Sequence, residues 1–262
     1  MKQAVLYVCH GSRLPKACQE AIEFIESVKP KVNVSIQEIS FLELSSPTIE
    51  DGFKNCVNKG ATHIAVVPLL LLTAAHAKQD IPKEVRHVAK NYPHVKLTYG
   101  RPIGVHPNMT DILIDKIKEV TTLSSFSTGI IVGRGSSDSE VVTDLKTIAT
   151  SLQTNSNLSA VHACFLTAAQ PKFESFIEEI YHSDVQSIVI IPYLLFTGVL
   201  KREIDTAIKK YDWKNRDISI CAYLAPHPSL IDVFLERVEE ALQNKQEQFS
   251  FMGDKCDVTT AY

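Results

Sequence analysis

Apolar positions along the chain fall into short continuous runs separated by segments with helical spacing. Residues 4–9 are apolar throughout, which predicts a buried strand. In 15–28 apolar residues such as Ala17, Ala21, Ile22, Ile25 and Val28 recur at a helical spacing. Alternation through Val32, Val34 and Ile36 predicts a second strand over 32–42. Ser46-Pro47 has the form of an N-cap followed by proline at the first helical position. That predicts a helix from there to about residue 59, stopped by Gly60. The run 64–70 is continuously apolar, as expected of a strand covered on both faces. A helix over 78–92, a strand over 95–99 and a helix over 107–120 complete the first half.

The same order then returns. Strands are predicted at 128–133, 158–166, 187–193 and 217–224, and helices at 137–154, 171–184, 201–211 and 228–243. The two series align residue for residue. Gly11 falls on Gly135, Pro47 on Pro171, and Pro68 and Thr73 on Pro192 and Thr197, each 124 positions on. His106-Pro107 meets His227-Pro228 at a shift of 121, so one small length change intervenes. A register held over separated motifs marks an internal duplication. The expected organisation is a first half at 1–123, a second at 126–245, a Ser/Thr-rich linker over Thr121–Ser127 and a polar tail over 246–262. Alternating strands and helices with apolar strands predict α/β architecture. Specifically, they predict two tandem homologous doubly wound domains, each a four-stranded parallel sheet flanked by helices. Ligands of such sheets bind beyond the carboxyl ends of the strands.

Composition narrows the function classes. At 262 residues, 45% hydrophobic and 22% charged, the chain has material for a sizeable core. A net charge of −3 gives no sign of a nucleic-acid partner. The N-terminus lacks the pattern of a signal peptide, and the longest apolar run, 64–75, is too short for a bilayer and broken by Pro68. No membrane association and a cytoplasmic location are therefore expected. The six cysteines form no CxxC pair, so a zinc ribbon or redox dithiol is unsupported. Cys9, Cys164 and Cys221 lie in apolar runs and read as small buried hydrophobes. Neither GxxxxGK[ST] nor GxGxxG occurs, and no nucleotide is expected.

Candidate chemistry gathers at the strand ends of the first half. His10 closes the first strand, Glu43 follows the second, and His76 lies in the loop after the third. Two imidazoles and a carboxylate from adjacent loops suit a divalent metal with open coordination positions. Their counterparts in the second half are Arg134, Thr167 and Leu200. The scaffold is retained there and all three ligands are lost, which a purely structural role does not require. His76, Asp80 and Glu84, at i, i+4 and i+8, can share a helix face, either as a metal-entry ladder or as a solvated face, with the latter favoured. His106 and His227, each before a helix-opening proline, read as structural. His63, His87, His94, His162 and His182 read as surface or strand-edge residues.

The motif His10-Gly11-Ser12-Arg13 after the first strand, the run Pro68-Leu69-Leu70-Leu71-Leu72, and Ala75-His76 together resemble the class II tetrapyrrole chelatases. These are the sirohydrochlorin ferrochelatases and cobaltochelatases, and the two-half form is similar to bacterial members acting in sirohaem synthesis. The resemblance covers about residues 1–245. It implies insertion of Fe²⁺ into sirohydrochlorin, with Co²⁺ or Ni²⁺ accepted in vitro and no other cofactor. His10 and His76 would bind the metal and accept pyrrole protons, since a neutral imidazole does both near neutral pH. Glu43 would offset the metal's charge or take a proton. The substrate is a flat macrocycle with eight carboxylates. It calls for an apolar slot rimmed by donors: Ser12, Arg13, Ala74 and Ala75 from the first half, Arg134, Gly135, Ser136, Ser137 and Lys201 from the second. Backbone N–H groups of 133–137 before a helix are a possible carboxylate cradle. A fused duplication already holds both halves, so a monomer is expected.

Two other readings compete. Cys9-His10-Gly11 resembles the Arg-His-Gly of histidine phosphatases, but Cys9 stands where the arginine belongs and the duplication goes unexplained. A non-catalytic tetrapyrrole or metal carrier is the other, distinguished by binding without insertion.

Overall fold

The computed structural model describes residues 2–123 and 125–243, so the tail 246–262 lies outside the described residues. In the first half, β1 (Gln3–Cys9), β2 (Ile36–Phe41), β3 (His63–Leu69) and β4 (Lys96–Tyr99) form a parallel sheet in the order β2-β1-β3-β4. In the second, β5 (Ser127–Gly133), β6 (Ala160–Phe165), β7 (Ser187–Pro192) and β8 (Asp217–Ile220) repeat it as β6-β5-β7-β8. The duplication expected from sequence is thus a duplication of sheet topology. The chain reverses direction across the sheet between β1 and β3, and the loops leaving those two strands carry His10 and His76. This is the crevice where ligands of open α/β sheets sit.

Each sheet carries helices on both faces. On the outer faces lie α2 (Ile49–Asn58) and α3 (Ile81–Ala89) in one half, α6 (Phe173–Tyr181) and α7 (Leu200–Lys209) in the other. Between the sheets lie α1 (Pro15–Val28), α4 (Pro107–Lys118), α5 (Ser139–Asn155) and α8 (Pro228–Leu242), which contribute to one core shared by both halves. The last helix of each half crosses over. α8 packs on β1, β3 and β4 of the first sheet, and α4 packs on β7 of the second. Phe234 of α8 accordingly stacks near Tyr7 and Phe24, with centroids 6.1 and 5.7 Å away. Gly100 permits this approach, because a Cβ there would lie 3.2 Å from that of Ala241. The buried Arg237 of α8 donates from Nε and Nη2 to the Ile103 carbonyl at 3.2 and 3.0 Å, and Arg101 pairs with Glu240 at 2.7 Å.

Several local expectations are corrected. Helix α2 starts later than Ser46-Pro47 suggests. Pro47 gives its carbonyl to the Phe41 N–H, and Thr48 is the cap in a reciprocal box with Asp51. Strand β2 begins at Ile36, not residue 32, because the Gln37 amide donates to the carbonyls of Lys29 and Val34 and holds that stretch as a loop. Ser127, assigned to the linker, is the buried first residue of β5. His63 is not a surface residue: it is 1% exposed, and its Nε2 lies 3.0 Å from Thr98 Oγ1. His106 caps α4, its Nδ1 accepting the Asn108 N–H at 3.1 Å, as a structural role requires. His227 occupies the matching position on α8 without capping it.

Candidate metal site

His10 follows β1 directly, held at the centre of its sheet between β2 and β3. Its Nδ1 lies 2.9 Å from the Gly11 carbonyl. A carbonyl only accepts, so Nδ1 carries the proton and Nε2 keeps a lone pair. His76 opens a single π-helical turn, His76–Asp80, in which the Ile81 N–H reaches back five residues to the His76 carbonyl. Such turns recur at functional sites. Within it, His76 Nδ1 donates to Asp80 Oδ2 at 2.8 Å, which again leaves Nε2 unprotonated. The two Nε2 atoms stand 3.1 Å apart, with the rings nearly perpendicular at 84°. Two facing lone pairs are an arrangement that a cation or a shared proton satisfies.

Glu43 Oε1 lies 3.6 Å from His10 Nε2, and the ligand atoms of His10, Glu43 and His76 all lie within 4.8 Å of one another. Gly11 makes this closeness possible. Its φ is +93°, and a Cβ there would fall 1.8 Å from the Glu43 carbonyl oxygen. The Glu43 N–H in turn donates to the His10 carbonyl at 3.1 Å. The second half keeps the same scaffold: Gly135 has φ +90°, with a Cβ position 1.9 Å from the Thr167 carbonyl oxygen. Arg134, Thr167 and Leu200 stand there in place of the triad.

Burial is the largest influence on His10 and lowers its pKa from the ordinary 6.5; His76 and Arg134 push the same way, while Glu43 and the Gly11 contact oppose. The imidazole is therefore a free base at neutral pH. The Cys9 thiol behind it is pushed up to about 12 by burial.

A cleft of about 770 Å³ opens beside the triad between the two halves. Leu14, Ala17, Leu71, Leu145, Phe165 and Phe196 give it apolar walls. Ser12, Arg13, Ala74, Ala75, Arg134, Gly135 and Ser136 line it as the sequence suggested; Ser137 and Lys201 do not. Ser137 is exposed, and Lys201 turns along α7 toward Asp205, 3.8 Å away, leaving Leu200 to face the cleft. The segment proposed as a backbone cradle leads into α5 through an acidic cap. Asp138 caps that helix, accepting the Glu140 N–H at 3.0 Å, and is itself paired with Lys78 at 2.6 Å.

Sequence reasoning undervalued Asp80. Asp80 and Glu84 are exposed, as the favoured solvated face requires, but Asp80 also orients His76, and the i, i+4 spacing was the available signal. It also missed the tethers across the cleft. The Glu20 carboxylate accepts from both the backbone N–H and the hydroxyl of Thr197 at 2.7 Å, and Lys78 Nζ pairs with Asp138 at 2.6 Å and Glu140 at 2.7 Å.

Comparison with known proteins adds to this geometry. The family model described as CbiX matches twice, over residues 4–120 and 128–241. The chain is 46% identical over 253 residues to the sirohydrochlorin ferrochelatase of Bacillus subtilis, covering 97% of each. It is 35% identical over 250 residues to a sirohydrochlorin cobaltochelatase of Priestia megaterium, covering 93% of this chain and 81% of that one. Among solved structures, SirB from Bacillus subtilis with Fe³⁺ superposes with a TM-score of 0.89 at 46% identity, over 96% of this chain and 100% of that one.

Proposed function

The chain belongs to the CbiX family, and from that premise we propose that it is a sirohydrochlorin ferrochelatase, inserting Fe²⁺ into sirohydrochlorin without ATP. The observation that carries the site assignment is the convergence of His10 Nε2, His76 Nε2 and a Glu43 oxygen within 4.8 Å beside an apolar cleft.

On this reading His10 and His76 take the incoming Fe²⁺ through their Nε2 atoms, and Glu43 offsets its charge. Two nitrogens and one oxygen leave coordination positions open for the macrocycle's nitrogens. The macrocycle enters the cleft with its flat faces against the apolar walls. Arg13 and Arg134, with Ser12 and Ser136, would meet its carboxylates. As each metal ion enters, two pyrrole N–H protons must leave. The imidazole lone pairs that release the metal are then free to accept them, one proton on each ring. An all-thiolate site would hold a soft metal too firmly for that transfer.

Imidazole and carboxylate ligands also suit Co²⁺, and a cobaltochelatase is among the relatives, so Co²⁺ is the second metal to test. No cofactor beyond the metal substrate is included in this reading. The chain would act as a monomer in the cytoplasm, without nucleic-acid or membrane partners. Among the described residues no helix is long and apolar enough to cross a membrane.

The test mixes purified protein anaerobically with metal-free sirohydrochlorin and Fe²⁺ or Co²⁺ and follows the absorbance spectrum. Conversion far faster than in protein-free buffer is expected. A shifted macrocycle spectrum with no acceleration would instead mark a carrier.

A further inference from the structure

Arg134 occupies in the second half the position that His10 occupies in the first, and the duplication sets the two across the cleft from one another. The Arg134 guanidinium Nη1 lies 3.3 Å from His10 Nε2. This is the nitrogen whose lone pair faces His76. A guanidinium is a donor only and stays protonated, so its N–H points into that lone pair. Among the described residues Arg134 has no ion pair, whereas the nearby Lys78 is held by Asp138 and Glu140. Its side chain is exposed on the cleft wall.

A divalent ion bound to an imidazole sits about 2.0–2.1 Å from the nitrogen. That lone pair cannot serve the ion and the Arg134 N–H together, and the two positive charges repel. A carboxylate is a better partner for the guanidinium than a neutral imidazole, because it accepts two parallel charge-assisted hydrogen bonds. We propose that Arg134 is a gate on the metal site. It occupies His10 Nε2 until a macrocycle carboxylate draws it away, and so couples metal capture to tetrapyrrole binding. The inference rests on the assignment of His10 as a metal ligand and goes beyond it. It makes Arg134 a positioning residue for the metal as well as a contact for the macrocycle.

The test titrates Co²⁺ alone, by calorimetry and visible absorbance, into the native protein and into Arg134→Met, Arg134→Lys and His10→Ala. Arg134→Met is expected to bind Co²⁺ about 5- to 150-fold more tightly than the native protein, the usual span of coupling between two sites. Arg134→Lys, which keeps the charge, is expected to restore weaker binding. In the insertion assay Arg134→Met should lower KM for metal and raise KM for macrocycle, an opposed shift that a merely structural role does not produce. Equal Co²⁺ affinity in the native protein and Arg134→Met, with binding lost in His10→Ala, overturns the gate and leaves the metal site standing. Unchanged Co²⁺ affinity in His10→Ala overturns the ligand assignment itself and the gate with it.

Discussion

Removing the Asp80 carboxylate should weaken the metal site without touching a metal ligand. Asp80 accepts the His76 Nδ1–H at 2.8 Å, and this bond fixes the tautomer that leaves Nε2 free. Asp80→Ala lets the ring rotate and lets its proton move to Nε2. A hydrogen bond to a charged group contributes about 1.5–3 kcal/mol. The Asp80 side chain is 49% exposed, so solvent screening brings the figure down to about 1–1.5 kcal/mol. At 1.36 kcal/mol per factor of ten, that is about a tenfold loss of metal affinity, the low end of what outer-sphere partners of metal-binding histidines usually contribute. The assay is the initial rate of insertion against metal concentration at saturating macrocycle, with thermal unfolding as a control. KM for metal should rise about tenfold. Stability should change by less than about 0.5 kcal/mol, as for other surface substitutions. A KM within about twofold of the native value would refute the idea that Asp80 orients His76.

Other consequences follow from the same geometry. Burial lowers the His10 pKa from 6.5, so the free base proposed to bind metal persists as the pH falls through that value; the acid limb of the rate–pH profile should lie below 6.5, and a midpoint above it contradicts the account. Gly11→Ala would force a Cβ against the Glu43 carbonyl at positive φ, and should cost about 3 kcal/mol or more by chemical denaturation. Gly60→Ala, at φ +86° but meeting only the Lys2 side chain at an ordinary contact distance of 3.5 Å, should cost only about 1–2 kcal/mol; equal costs would remove the steric argument. Glu43→Gln, whose carboxylate oxygen lies 3.6 Å from His10 Nε2, should weaken Co²⁺ binding and leave the melting temperature unchanged; native affinity would remove Glu43 from the ligand set.

Much of the fold was legible because the strands are buried on both faces. Residues 4–9 and 64–69 are fully apolar or nearly so, and their register with 128–133 and 188–193 exposed the duplication. The crossing of α4 and α8 to the opposite sheets was not legible, because an apolar helix face does not say which sheet it covers. The triad was visible because its residues close strands and vanish in the second half. The Arg134–His10 contact and the tautomers were not, since they depend on side-chain direction across the cleft. The start of α2 was misplaced because Ser46-Pro47 satisfies the capping pattern in sequence while Thr48 satisfies it in space. That Leu200 rather than Lys201 lines the cleft was hidden for a related reason: one step along the first turn of α7 turns a side chain from the cleft toward solvent.

The central claim is that His10 and His76 of the first half carry the metal into the macrocycle. Its most direct test is the anaerobic rate of Fe²⁺ insertion into sirohydrochlorin by the native protein, His10→Ala and His76→Ala, each checked for intact fold. Both variants should fall to the protein-free rate while still binding the macrocycle. A folded variant of either kind that keeps more than about a tenth of the native rate would contradict the assignment.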